Sequence, residues 1–276
     1  MTVSFKAKYG PWALITGASR GLGAEFTRQC AERGLNTVLV ATNPELLQAR
    51  ADSIKKDYGV EVRTIVLDLS CEEFLPDITP VTGSLEIGLL INNAGLSKVS
   101  PFLNLAEDEL IKQLHVNTRA GLILTRHFAR KMAERKRGGI IFLASGSALS
   151  GTAYSANYAG TKAYNLILAE SLWYELKPHG VDVLGFMAGP TKTPGWNANS
   201  PRPGRFVKVM DVKTTVNEAL QALGKRPSLI AGKSNRLGYF FMGRILSRAR
   251  AIRIVSGSMD KMFGPFEKDI EKTGKE

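Results

Sequence analysis

The chain has 276 residues, 44% of them apolar and 22% charged, a composition that builds a substantial core and excludes a disordered or fibrous protein. Its net charge of +12 and pI near 9.7 would suit nucleic acid, an anionic membrane surface or a polyanionic cofactor. Two cysteines, Cys30 and Cys71, make no disulfide framework, and three histidines without ligand-like spacing predict no metal site.

Met1 to Trp12 hold two lysines but no apolar run, so no cleaved signal peptide is expected, and the cysteines fit a reducing, cytoplasmic setting. Strands are predicted at Trp12–Thr16, Thr37–Ala41, Glu61–Leu67, Ile87–Ile91, Gly139–Ala144, Val181–Phe186 and Ser228–Ala231. Helices are predicted at Gly21–Arg33, Pro44–Tyr58, Glu107–Glu134, Ala153–Lys177 and Asp211–Leu223. Short, almost purely apolar strands alternating with helices are the pattern of βαβ units around a parallel sheet covered on both faces. The expectation is one doubly wound α/β domain over residues 1–276, with seven parallel strands. The uncharged stretch from Gly138 to Thr161 is too rich in Gly, Ser, Thr and Asn to span a membrane. Basic residues are spread over helix faces, and no recognition helix, zinc finger or stacking motif accompanies them, so no nucleic acid partner is expected.

The turn after the first strand reads Thr16-Gly17-Ala18-Ser19-Arg20-Gly21-Leu22-Gly23. Glycines there let backbone bend tightly or approach a pyrophosphate at a helix N-terminus. The second strand ends Ala41-Thr42-Asn43, with no acid before Glu45 to hold ribose hydroxyls. Arg20 is placed to reach a 2′-phosphate, with Thr42 and Asn43 as hydrogen-bonding partners, which predicts NADP(H). Gly232-Lys233-Ser234 looks like the end of a P-loop, but the position that motif needs as glycine is Pro227.

Tyr158 is followed four residues later by Lys162, so the phenol and ammonium share one helix face. A cation there is expected to lower the phenol pKa toward a working value for a general acid/base. Ser145 stands thirteen residues before Tyr158 at the end of an apolar strand, placed to polarise a carbonyl. Ser147 is a rival serine; Tyr154 and Tyr164 lack a lysine at the right offset.

Taken together, Thr16-Gly-Ala-Ser-Arg-Gly-Leu-Gly23, Asp68, Asn92-Asn93-Ala94-Gly95, Asn117, Ser145 and Tyr158-x-x-x-Lys162 resemble the short-chain dehydrogenase/reductases, over roughly residues 12 to 195. The resemblance implies a Rossmann-type sheet and a dinucleotide held by Gly17, Ser19, Arg20, Gly21, Leu22, Gly23, Thr42, Asn43, Asp68 and Leu69. It implies that Asp68 binds the adenine amino group and that Asn92, Ala94 and Gly95 line the adenine–ribose side. It also implies that Lys162 holds the nicotinamide ribose and that Asn117 positions a relay water. After the sixth strand the family usually has Pro-Gly, whereas this chain reads Ala188-Gly189-Pro190-Thr191-Lys192-Thr193; carboxamide contacts from Gly189, Thr191 and Thr193 are expected there. The family's NADP-preferring members often carry arginine where this chain has Thr42. The resemblance further implies a homo-oligomer, a dimer or tetramer formed through helices Glu107–Glu134 and Ala153–Lys177.

The substrate pocket is expected from Ser147, Leu149, Tyr154, Met187 and Trp196, an inventory suited to a hydrophobic ketone or alcohol. Segments such as Leu35-Asn-Thr-Val-Leu-Val are similar to the branch of 3-oxoacyl-CoA reductases and 17β-hydroxysteroid dehydrogenases, and a basic exterior suits an acyl carrier as well. The rival reading is a dinucleotide-binding module without catalysis, which would need no proton relay. Ala188–Val209 is the candidate substrate loop. In the tail, one helical wheel gathers Phe241, Met242, Ile245, Leu246, Ala249 and Ile252 beside Arg244 and Arg248. Such a helix either packs over the substrate loop, the favoured reading, or lies on an anionic membrane.

Overall fold

The computed structural model describes residues 3–198, 201–202 and 209–264. Parts of the candidate substrate loop (199–200 and 203–208) and the end of the tail (265–276) lie outside the described residues. Strands β1 (Trp12–Thr16), β2 (Asn36–Ala41), β3 (Val62–Val66), β4 (Ile87–Asn92), β5 (Gly138–Ser145), β6 (Val181–Ala188) and β7 (Ser228–Ile230) form one parallel sheet. Its order is β3-β2-β1-β4-β5-β6-β7. The helices are α1 (Phe5–Tyr9), α2 (Gly21–Glu32), α3 (Pro44–Tyr58), α4 (Leu75–Thr82), α5 (Glu107–Leu114), α6 (Ala120–Glu134), α7 (Ala156–Leu176), α8 (Pro194–Ala198), α9 (Val212–Ala222), α10 (Lys233–Ile245) and α11 (Arg248–Phe263).

Strand residues alternate between two buried layers, which is why the strands read as nearly continuous apolar runs. Ala13, Ile15, Leu39, Ile141 and Leu184 pack with α2, α3 and α9 residues such as Phe26, Leu47 and Val216. Leu14, Val38, Val40, Ile140 and Val183 pack on the other face with Ile78, Leu124 and Phe128. The edge strand departs from this: Arg63 and Val66 of β3 are exposed because only β2 pairs with it. Cys30 is buried in the core, whereas Cys71 is exposed.

Several elements differ from the sequence expectation, among them the short helices α1 and α8, which it did not include. The long helix expected over Glu107–Glu134 is interrupted by a widened π turn at His115–Arg119, the kind of bulge that re-aims side chains at functional sites. Helix α4 is absent from the sequence expectation; it carries Pro76 in its first turn and Pro80 inside, and burial of Phe74 and Ile78 holds it. The tail is two helices rather than one. Leu246 is extended (φ −89°, ψ 141°), and the Ser247 hydroxyl caps α11 by accepting from the Arg250 amide.

The strand order reverses beside β1: the chain runs outward through β2 and β3 on one side, then crosses from β3 to β4 on the other. Beyond the carboxyl ends of those strands lies the crevice in which this class of sheet holds its ligands.

Candidate active site

A cavity of about 1080 Å³ occupies that crevice. Its first wall is backbone. Gly17 has φ +65°, and an ideal Cβ on Gly23 would stand 2.1 Å from the Gly17 carbonyl oxygen, so α2 approaches its turn only without a side chain. Asn93 fastens this turn to β4: its Nδ2 donates to the Thr16 carbonyl at 2.8 Å and the Gly17 carbonyl at 3.2 Å. The Thr16 hydroxyl accepts from the Asn93 and Ala94 amides, both at 3.0 Å. The N-terminus of α2 faces the cavity with no acid in its first turn and no side-chain cap, which leaves its amides for an anion.

Gly17, Ser19, Arg20, Gly21, Leu22, Thr42, Asp68, Leu69, Ala94, Gly95, Gly189, Thr191 and Thr193 all line the cavity. Three residues expected there do not. Asn43 turns away to cap α3, accepting from the Leu46 amide at 2.7 Å. Asn92 is buried and donates to Thr125 on α6 at 2.9 Å. Gly23 lies behind the turn, where it permits packing. Asp68 accepts from the Ser70 amide and hydroxyl at 2.9 and 2.8 Å and pairs with Lys112 at 3.0 Å. Burial would raise its carboxyl pKa, but these bonds hold it below the ordinary value.

Ser145 ends β5, and Tyr158 and Lys162 lie in the first turns of α7; all three reach the cavity. The Ser145 hydroxyl bonds the Tyr158 phenol and also accepts from the Ser147 amide at 3.3 Å. Burial pushes the phenol up, and the Ser145 bond only partly offsets it. This corrects the expectation of a tyrosine lowered by Lys162: the Lys162 Nζ stands 5.5 Å from the ring centre, and burial sets the direction of the shift. Lys162 is itself buried and donates to the Leu143 carbonyl at 2.8 Å, and desolvation pushes its pKa down to about 8.

Asn117 sits in the π turn behind this group and outside the cavity lining. Its side chain clamps Leu96, accepting from the Leu96 amide at 2.7 Å and donating to the Leu96 carbonyl and Thr161 hydroxyl at 3.0 Å. Its own carbonyl accepts from Asn165 at 2.8 Å.

The opposite wall is made of side chains from α10 and α11. Asn235, Tyr239 and Met242 come from α10, and Ile254, Met259 and Met262 from α11. The Tyr239 hydroxyl lies 2.0 Å from where a Cβ on Gly146 would stand, so this phenol fits beside Ser145 only because residue 146 is glycine. Burial raises the Tyr239 pKa. Arg248 on α11 donates to the Leu149 carbonyl at 2.7 Å, and the Ala153 amide donates to the Ser256 hydroxyl at 3.2 Å.

Of the expected pocket residues, Ser147 and Trp196 line the cavity, and Trp196 meets Phe263 edge to face at 6.4 Å. Leu149, Tyr154 and Met187 do not. Met187 points into a small core with Ala144 and Leu166, and Leu149 packs against that cluster. Tyr154 adopts φ +61° and is engaged by Asp260 of α11. No sequence motif marks the α10–α11 residues that take their place.

The family model described as short chain dehydrogenase matches residues 11–203. A 7beta-hydroxysteroid dehydrogenase from Clostridium sardiniense is 30% identical over 235 residues, covering 85% of this chain and 90% of that one. A very-long-chain 3-oxoacyl-CoA reductase from Meyerozyma guilliermondii is 36% identical over 220 residues, 74% of this chain and 64% of that one. The human inactive hydroxysteroid dehydrogenase-like protein 1 is 36% identical over 180 residues, 64% of this chain and 54% of that one. Among solved structures, a 7beta-hydroxysteroid dehydrogenase superposes with a TM-score of 0.85 at 28% identity, covering 91% of this chain and 99% of the other. A short-chain dehydrogenase from Sphingobium yanoikuyae in complex with NADPH gives 0.73 at 29% identity, covering 80% and 87%.

Proposed function

The chain belongs to the short-chain dehydrogenase family, and from that premise we propose an NADP(H)-dependent oxidoreductase that interconverts a hydrophobic ketone and its secondary alcohol. The observation that carries this reading is the Ser145–Tyr158–Lys162 group at the seam between a backbone-built wall and an apolar one. The substrate class is steroid-like or fatty-acyl-like, in keeping with the hydroxysteroid and oxoacyl relatives and with Met242, Ile254, Met259 and Met262 on the far wall.

The uncapped α2 N-terminus and the glycines at 17 and 21 fit a pyrophosphate, and Arg20 and Thr42 fit a 2′-phosphate where an acid would repel it. When bound, the reduced dinucleotide supplies the hydride that reaches the carbonyl carbon. Ser145 donates a hydrogen bond to the carbonyl oxygen, and Tyr158 delivers its proton to that oxygen as negative charge grows. A phenol pushed up by burial stays protonated near neutral pH, the state that reduction requires. In oxidation the Tyr158 phenol must first release its proton to solvent, and the resulting phenolate, beside the Lys162 amine, then takes the alcohol proton. Asn117 holds the Leu96 backbone and the Thr161 hydroxyl, fixing the loop and the helix turn that flank Lys162.

The test is NADPH and NADH consumption with a panel of steroid, long-chain acyl and small ketones. Steady turnover with NADPH on the bulky ketones is expected, with NADH poorer. Tyr158→Phe should keep NADPH binding and the fold while losing about a hundredfold to ten-thousandfold in kcat, the range for a general acid. Near-unchanged kcat in that variant removes Tyr158 from the chemistry. NADPH binding without reduction of any ketone would instead leave a non-catalytic dinucleotide-binding protein.

A further inference from the structure

Helix α10 is apolar on two sides. Asn235, Tyr239 and Met242, spaced by four and three residues, face the cavity. Leu237, Phe240, Phe241 and Ile245 follow the same spacing on another side and stand 59%, 58%, 47% and 69% exposed. Four large side chains on one stripe of a short helix are more than the scattered apolar residues of an ordinary surface, and such stripes mark contact sites.

The stripe is bordered by charge of one sign. Lys233 and Arg244 of α10 and Arg248, Arg250 and Arg253 of α11 are exposed, and the chain from Gly232 to Met259 contains no acidic residue. Arg236 is paired with Glu218 at 2.9 Å, but among the described residues no carboxylate pairs with Arg244, Arg250 or Arg253. Apolar residues flanked by arginines, with no acid between, are what a helix lying in the headgroup layer of an anionic bilayer needs.

We infer that the outer face of α10, with the basic start of α11, docks on an anionic lipid surface. Charge decides between this and a second copy of the chain. A two-fold contact sets a patch against itself, so the face bearing Arg244, Arg250 and Arg253 would meet an equally basic face with no acid in it to answer them. A bilayer rich in acidic headgroups answers all of them. Among the described residues no helix is long and apolar enough to cross a membrane, so the contact is peripheral.

The docking face lies close to the active site. A smaller cavity of about 460 Å³, lined by Phe241, Ile245 and Leu246, shares Asn235, Tyr239, Met242 and Ile254 with the main one. These shared side chains stand between the proposed lipid face and the main cavity. The docking does not depend on the function proposed above.

The test is co-sedimentation of the full chain with phosphatidylcholine vesicles, with and without phosphatidylserine, at low and high salt. Binding is expected only with phosphatidylserine and should weaken severalfold as salt rises. Leu237→Asp with Phe240→Asp should weaken it tenfold or more. Arg244→Glu and Arg250→Glu should each weaken it roughly fivefold or more, the effect of about one headgroup attraction per arginine. None of these four residues lines the main cavity, so NADPH binding and the thermal midpoint should be unchanged, which separates lost docking from lost fold. Absence of binding to phosphatidylserine vesicles overturns the inference, as does equal, salt-insensitive binding to phosphatidylcholine alone. Sedimentation velocity that shows a dimer dissolved by the same substitutions assigns the face to a second copy and overturns it too. Lipid binding by a protein that reduces no ketone leaves the inference standing and removes only the proposed reaction.

Discussion

The two walls of the cavity are built in opposite ways. The wall at the ends of β1 and β4 is backbone: glycines at 17, 21 and 95, a helix N-terminus packed behind through Gly23, and Asn93 riveting one turn to the next. The wall from α10 and α11 is side chain: Tyr239, Met242, Ile254, Met259 and Met262, held by a few long-range bonds such as Arg248 to Leu149. A wall of backbone has almost no freedom to change residue type without changing shape. A wall of apolar side chains accepts many sequences of similar volume. One fold can therefore keep a fixed cofactor seat while the substrate side varies.

Adding a single methyl group behind the first wall and against a side chain of the second tests that contrast. The larger effect is expected from Gly23→Ala, whose Cβ would fall 2.1 Å from the Gly17 oxygen and 2.6 Å from Asn93 Nδ2. Backbone has no way to give without opening the turn, so NADPH affinity measured by fluorescence titration should fall a hundredfold or more. The thermal midpoint should drop with it, by the equivalent of about 1–3 kcal/mol of overpacking. Retained affinity would show the turn to be soft.

Gly146→Ala places its methyl 2.0 Å from the Tyr239 hydroxyl, the end of a side chain that can swing aside. A smaller and different loss is expected: KM for the ketone up by roughly tenfold, about 1.4 kcal/mol, with NADPH affinity unchanged. Shortening the roof residue, Tyr239→Leu, in the same chain should recover part of the loss, a coupling that separate sites would lack. Equal damage to NADPH binding by the two glycine changes would erase the distinction between the walls.

The same contrast explains what was legible in the sequence. Gly17, Gly21, Asp68, Ser145, Tyr158 and Lys162 stand at strand ends or on the helix turns that follow, and a parallel sheet of known order brings strand ends together. The fold followed from apolar runs alternating with helical periodicity. Tyr239 was not legible, because its place depends on a break at Leu246–Ser247 and on the absence of a side chain at Gly146, and both are tertiary facts. The single helical wheel of the tail failed twice: the helix ends at Leu246, and within α10 Met242 faces the cavity while Phe241 and Ile245 remain outside. Asn43 and Asn92 illustrate a smaller limit. Adjacent residues share a motif but not a direction, so Thr42 reaches the cavity while its neighbour caps a helix. Likewise Asn93 rivets the glycine turn while Asn92 serves α6.

The buried amine of Lys162 also has a consequence for how the protein withstands alkali. Its pKa is pushed down to about 8 in the folded chain from an ordinary 10.5, because burial disfavours the charged form. The unfolded chain therefore binds the proton more readily between those two values, so stability rises with pH across that window. Below about pH 8 the full cost of burying the ammonium is present, and above about 10.5 it is gone; the difference is roughly 3 kcal/mol at about 1.4 kcal/mol per pH unit. Lys162→Met, measured without added dinucleotide, should unfold at a higher temperature than the parent near neutral pH, and this advantage should shrink as pH climbs. Parallel melting curves across the range would show that the amine is not held in its desolvated site. On this account Lys162, buried beside Tyr158, is a weak point of the folded state whose cost lifts as pH rises from about 8 toward 10.5.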